Sequence, residues 1–139
     1  MRGAGRLNGS SKLAPEIVRF LEAELSQYPA CKAGLGQLAK DLAELAGAAE
    51  WDGGQPELAA VRLRVLEKNI RERLARLRWI EAGLALLDPD QTALVEARYF
   101  RGGEATNQEL CDQLGISKDR FYQLRRRILQ SFAAVYGLE

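Results

Sequence analysis

Residues 106–128 read TNQELCDQLGISKDRFYQLRRRI, and the order of signals in this stretch decides the fold. Thr106 followed three positions later by Glu109 is a capping box, in which each side chain satisfies the other's otherwise unpaired backbone amide. It opens a helix of barely two turns, with Leu110, Cys111 and Leu114 inward. Gly115-Ile116 then makes a tight turn, and Ser117 caps a second helix. A short capped helix, a glycine turn, a buried isoleucine and a serine-capped second helix form the helix-turn-helix arrangement. In that arrangement the second helix enters the major groove of DNA.

The second helix can be phased directly. With about 100° between successive residues, Phe121, Leu124, Ile128, Phe132 and Val135 cluster in one direction and form a core stripe. Asp119, Tyr122, Gln123, Arg126 and Gln130 point the opposite way, flanked by Lys118, Arg120 and Arg127. These residue types suit base reading. Gln offers a bidentate fork to adenine, Arg and Lys reach guanine or phosphate, and Asp accepts from cytosine N4. A Tyr can bond a phosphate or pack on a thymine methyl, and the cations supply the salt-dependent part of affinity. The candidate DNA-binding residues are therefore Ser117, Lys118, Asp119, Arg120, Tyr122, Gln123, Arg126 and Arg127, with Thr106 and Asn107 at the head of the shorter helix.

Working outward, Asp88-Pro89-Asp90 starts another helix, with Asp88 as N-cap and Pro89 at its first position. That helix buries Leu94, Val95 and Tyr99 and ends before Arg101-Gly102-Gly103. Upstream, residues 57–87 form the longest periodic element. Leu63, Leu66, Ile70, Leu77, Ile80, Leu84 and Leu87 follow alternating steps of three and four, broken only at Arg73. Two readings of this seam stay open: an intramolecular helical hairpin, or an oligomerisation seam through Leu63, Leu66, Ile70, Leu77, Ile80 and Leu84. Before it, Ile17, Phe20, Leu21 and Leu25 predict a short helix with one buried stripe. Tyr28-Pro29 interrupts it, because a residue before proline is pushed out of the α region. A further helix restarts at Pro29 with Leu35, Leu38, Leu42 and Leu45 inward, weakened by Gly34 and Gly36. Asp52-Gly53-Gly54-Gln55-Pro56 is the clearest break.

The reading is all-α, because no alternating run long enough for a strand occurs. Residues 1–13 are a flexible basic arm, 14–87 a helical hairpin or long-helix module for oligomerisation or interaction, and 88–139 a helix-turn-helix domain.

Composition trims the functional classes. The 139 residues contain no histidine. That excludes Ser-His-Asp and Cys-His catalysis, an imidazole base and histidine-ligated zinc. No convergent catalytic set is visible, so no enzyme, cofactor, metal or small-molecule substrate is expected. Cys31 and Cys111 lack metal-ligand spacing and read as small buried residues. Trp51 and Trp79 read as packing anchors. No apolar run spans a membrane and no signal peptide is apparent, so the expected location is cytoplasmic. The net charge of +1 averages an uneven distribution: residues 14–57 carry −5, whereas 61–81 and 117–130 each carry +4. The acids of 14–57 read as mostly solvated, with an intramolecular or polymerase-contacting role open. Arg71, Arg73, Arg76 and Arg78 read as a solvated face.

The stretch LDPDQTALVEARYFRGGEATNQELCDQLGISKDRFYQLRRRILQSF, residues 87–132, resembles sigma-factor region 4. It is more similar still to phage regulators of the ArpU/RinA type. The upstream part is similar too, where an acidic helix meets a Tyr-Pro break (LEAELSQYPACKAGLGQLAKDL, residues 21–42) before a long basic helix. The resemblance implies a transcriptional regulator of phage or prophage late genes, for packaging, morphogenesis or lysis. It implies double-stranded DNA as partner; the upstream helices, residues 15–87, read as holding a homodimer together, and contact with host RNA polymerase stays open. By region-4 analogy the reading positions are Lys118, Asp119, Tyr122 and Gln123; Tyr122 departs from the basic residue common there. The glycines of residues 52–55 have no counterpart in the resemblance. Two other readings stay open: the DNA-recognition subunit of a phage packaging machine, similar to a small terminase, and a helical protein-interaction module.

Overall fold

The computed structural model describes residues 12–51 and 55–138. The basic arm up to residue 11, the Asp52-Gly53-Gly54 break and the side chain of Trp51 lie outside the described residues. The described chain is all-α: α1 (Pro15–Trp51), α2 (Pro56–Leu84), α3 (Pro89–Val95), a π-helical turn (Glu96–Phe100), α4 (Asn107–Leu114) and α5 (Lys118–Tyr136). No helix among the described residues is long and apolar enough to cross a membrane.

The described chain forms two compact units, residues 27–82 and residues 12–26 with 83–138. The second unit thus takes in residues 14–26 and 83–87, which the sequence division at residue 88 groups with the upstream module.

In the unit of residues 27–82, α1 and α2 run antiparallel as a hairpin. Its rungs are Arg76 Nη2 donating to Gln27 Oε1 at 2.7 Å and the Tyr28 hydroxyl donating to Glu81 Oε2 at 2.9 Å. Further along, the Arg73 guanidinium lies over Gly34, where an added Cβ would sit 2.8 Å from its Nη1. The cation that interrupts the seam thus passes across α1 at Gly34. Leu77, Ile80 and Cys31 are buried, and Leu63, Leu66 and Ile70 are half-buried. The intramolecular reading therefore describes how Leu77 and Ile80 are covered. Leu58, Val61 and Val65 instead stay exposed on α2. Trp79 is 44% exposed, which makes it a poorer packing anchor than its size suggests.

The expected break at Tyr28-Pro29 does not occur: α1 is one helix with Pro29 inside it. An interior proline removes one backbone hydrogen bond and crowds the preceding turn, at about 3 kcal/mol. The flanking interactions offset this, since Gln27 and Tyr28 are held by α2 and Cys31 is buried two residues later. Helices in proteins owe more to such packing than to propensity. The α2 helix also stops at Leu84, three residues short of the periodic pattern. Pro89 selects an extended Asp88 (φ −82°, ψ 172°), and the chain leaves α2 through tight turns at Leu86 and Leu87.

In the other unit, the first turns of α1 contribute Leu21 and Leu25 to a core shared with α3, α4 and α5. Phe121, Leu124, Ile128 and Phe132 are buried as phased, joined by Leu129 and Ala133, whereas Val135 is only half-buried. Phe20, expected in the stripe of α1, is 46% exposed and packs edge-on against Tyr136 at 5.8 Å. The end of α2 meets this core at Gly83, where a Cβ would lie 2.2 Å from a ring carbon of the fully buried Phe132.

Replacing Gly83 with Ala should therefore destabilise the protein although Ala favours helix by about 1 kcal/mol. Displacing Phe132 in a packed core costs about 1–3 kcal/mol. The expected readout is a lower urea midpoint with an unchanged slope, and a raised midpoint would mean the Phe132 pocket yields freely.

Candidate nucleic-acid interface

The geometry around residues 106–128 follows its local chemistry closely. The Thr106 hydroxyl accepts from the Glu109 amide at 3.1 Å, and the Glu109 carboxylate accepts from the Thr106 amide at 3.1 Å. Hydrogen bonds to that carboxylate from the Thr106 backbone amide and from the Thr106 side chain hold the Glu109 carboxyl below its usual range. Gly115 takes the left-handed conformation (φ 66°), and the Ile116 amide returns to the Cys111 carbonyl at 3.0 Å. The Ser117 hydroxyl then accepts from the Arg120 amide at 3.1 Å and starts α5. Leu110 and Cys111 are buried, while Leu114 and Ile116 are half-buried.

The outward face of α5 carries Lys118, Asp119, Tyr122, Gln123, Arg126 and Arg127, all exposed. Four other expected residues have intramolecular work. The Arg120 guanidinium reaches Asp90 at 3.6 Å and donates to Gln123 Oε1 at 3.1 Å, so it ties α5 to α3. Ser117 and Thr106 each use their hydroxyl oxygen to accept a capping bond. Asn107, half-buried, accepts from Arg98 Nη1 at 2.5 Å and faces the Tyr122 hydroxyl with its amide nitrogen at 3.4 Å. Gln130, phased outward, is half-buried.

Behind this face lies a polar cluster centred on Glu22. Its carboxylate takes a two-pronged contact from Arg125, Nη2 at 2.8 Å and Nε at 3.2 Å. The Tyr99 hydroxyl also donates to it, and Arg98 Nε stands 3.5 Å away. The Arg98 guanidinium packs over the rings of Tyr99 and Phe121 at 5.5 and 5.8 Å. Burial alone would raise the Glu22 carboxyl, but hydrogen bonds from Arg125 and Tyr99 and the two guanidinium charges outweigh it and hold it below 4.5. Burial and the Glu22 carboxylate push the Tyr99 hydroxyl well above its usual value. A cleft lined by Glu22, Arg98, Tyr99, Thr106 and Asn107 opens beside the cluster.

The Glu22 cluster, which lies behind the candidate face, was not expected from the sequence. One signal was present: Arg125 falls one residue beyond Leu124 and three before Ile128, at the margin of the core stripe. A cation there requires an acidic partner, but nothing in the linear sequence selects Glu22 from the other acids of α1. The seam residues Leu63, Leu66, Ile70, Leu77 and Ile80 lie in the other unit and are not part of this site, whereas Leu84 sits half-buried at the end of α2. Among the described residues no group of three or more acidic or cysteine side chains could hold a metal.

Comparisons with family models, with curated proteins and with solved structures find no match to this chain.

A carboxylate whose pKa is depressed by folding stabilises the native state above its unfolded value and loses that contribution as pH falls through the lower folded value. Glu22→Gln should therefore be less stable than the parent at pH 7, by about 1–3 kcal/mol for loss of a charged hydrogen-bond acceptor. The gap should narrow as urea melts are taken from pH 5 downward. A gap that is constant with pH would exclude the ionised Glu22 carboxylate as the source of the stabilisation.

Proposed function

We propose that this protein is a sequence-specific double-stranded DNA-binding regulator of transcription that reads the major groove with α5. The observation that carries the reading is the outward face of that helix. Lys118, Asp119, Tyr122, Gln123, Arg126 and Arg127 are exposed together on a helix whose opposite face is fully buried. The helix-turn-helix part of the proposal draws its support from the preceding α4, the left-handed Gly115 and the Ser117 cap. The face mixes donors, acceptors and cations, as base reading needs, instead of a uniform basic patch that would grip any phosphate backbone.

The resemblance to phage regulators of the ArpU/RinA type supplies the finer part of the proposal: activation of late genes for packaging, morphogenesis or lysis, in the cytoplasm, by a homodimer that engages host RNA polymerase. A twofold dimer would read half-sites about 34 Å apart, one helical turn of DNA.

The test is electrophoretic mobility shift on a duplex selected from a random pool. Gln123→Ala should weaken binding by about 1–3 kcal/mol and relax preference at one base pair. Arg126→Ala should weaken all duplexes alike and reduce the salt slope by about one counterion. If the parent protein binds no duplex at low salt, the DNA reading falls. If both variants bind as the parent does, the assigned face is wrong. A native assembly of eight or nine subunits would point to the packaging-machine alternative.

A further inference from the structure

Tyr122 stands in the middle of the exposed face of α5, 39% accessible, with its ring held edge-on against the buried Phe121 at 5.4 Å. Its hydroxyl can both donate and accept, so which of these it offers outward depends on what it meets inside. The inner partner is Asn107, whose amide nitrogen lies 3.4 Å from the hydroxyl. The orientation of that amide follows from chemistry. Arg98 can only donate, so the Asn107 atom 2.5 Å from Arg98 Nη1 is the carbonyl oxygen, and the amide nitrogen turns to Tyr122. Arg98 is itself held by the Glu22 carboxylate and by the rings of Tyr99 and Phe121. A chain of fixed polarity therefore runs from Glu22 through Arg98 and Asn107 to Tyr122. At its end the tyrosine oxygen accepts from Asn107, and its proton points to whatever lies outside.

We propose that Tyr122 is a specificity-determining residue that donates a hydrogen bond to a keto oxygen on a base edge, and that Asn107 is the positioning residue that sets this polarity. The inference rests on the DNA-reading proposal above. A base edge is favoured over a phosphate because Asp119, exposed and three residues back on the same helix face, would be repelled by a phosphate beside it. It can instead accept from an exocyclic amino group. A donor at Tyr122 selects guanine O6 or thymine O4 and rejects the amino groups of cytosine and adenine.

Two variants of the full chain separate polarity from packing. Tyr122→Phe keeps the ring on Phe121 and removes the hydroxyl. Asn107→Asp keeps an acceptor for Arg98 and a favourable acid at the first position of α4, but presents only acceptors to Tyr122. The tyrosine proton then turns inward, leaving a lone pair outside. Each protein is used to select duplexes from a fully randomised pool, and the bound fractions are sequenced. The parent should enrich guanine or thymine at one position. Tyr122→Phe should flatten that position by several-fold to about tenfold, the worth of one hydrogen bond. Asn107→Asp should move the preference to cytosine or adenine at the same position. Binding by Tyr122→Phe with an undiminished preference, or an Asn107→Asp selection identical to the parent's, would overturn the inference while leaving the DNA-binding reading intact. Failure of the parent to enrich any duplex would overturn both.

Discussion

The carboxylate of Glu22 is the interaction on which the arrangement of the unit that carries α3, α4 and α5 depends. It gathers Arg125 from α5, Tyr99 and Arg98 from the π-helical turn, and the first part of α1 around one pair of oxygens. Each of these groups would be expensive to hide alone. A half-buried guanidinium needs a counter-charge, and the hydroxyl of a buried tyrosine needs an acceptor. Together they satisfy one another. The result is a directional joint, because the two-pronged Arg125 contact defines rotation as well as distance. Apolar packing of Phe121, Leu124 and Ile128 would hold α5 in place but would tolerate small slips about its axis. The charged cluster resists those slips, and so sets which side chains face outward.

The π-helical turn at residues 96–100 belongs to the same device. Its wider hydrogen bond, from the Arg101 amide to the Glu96 carbonyl at 3.1 Å, changes the phase of the residues it contains relative to an α-helix. Tyr99 reaches Glu22 while its neighbour Arg98 reaches both Glu22 and Asn107. The left-handed Gly102 (φ 63°) then turns the chain toward Thr106 and the capped start of α4. Local irregularity here serves the long-range polar contacts, a common association for π-bulges.

Much of this unit was legible in the sequence because its signals are local. The Thr106–Glu109 capping box, the left-handed Gly115, the Ser117 cap and the Asp88-Pro89 start each depend on atoms within a few residues, and all occur as read. The α5 core stripe was legible for the same reason, since helical phase is a property of spacing alone. Asp88 goes further than expected, because Gln91 completes a second capping box with it. Upstream the reading was less complete. Pro29 is a strong local signal for a break, and it was overridden by the hairpin contacts of Gln27, Tyr28 and Cys31, which are distant in sequence. The heptad seam identified the inward face of α2 but could not say whether its partner was α1 or another subunit.

By itself, then, the sequence determined an all-α chain, the capped start of each short helix near the C-terminus, and the outward chemistry of α5, but not that α3 gives way at Val95 to a π-helical turn. Caps, glycine turns and 3.6-residue periodicity act over a few residues and leave clear marks. The tertiary structure decided which acid meets which cation, why Gly83 must lack a side chain, and how Asn107 faces Tyr122. Those outcomes depend on residues brought together from up to 103 positions apart, as Glu22 and Arg125 are. A charge at a given position is compatible with many partners until packing leaves only one within reach.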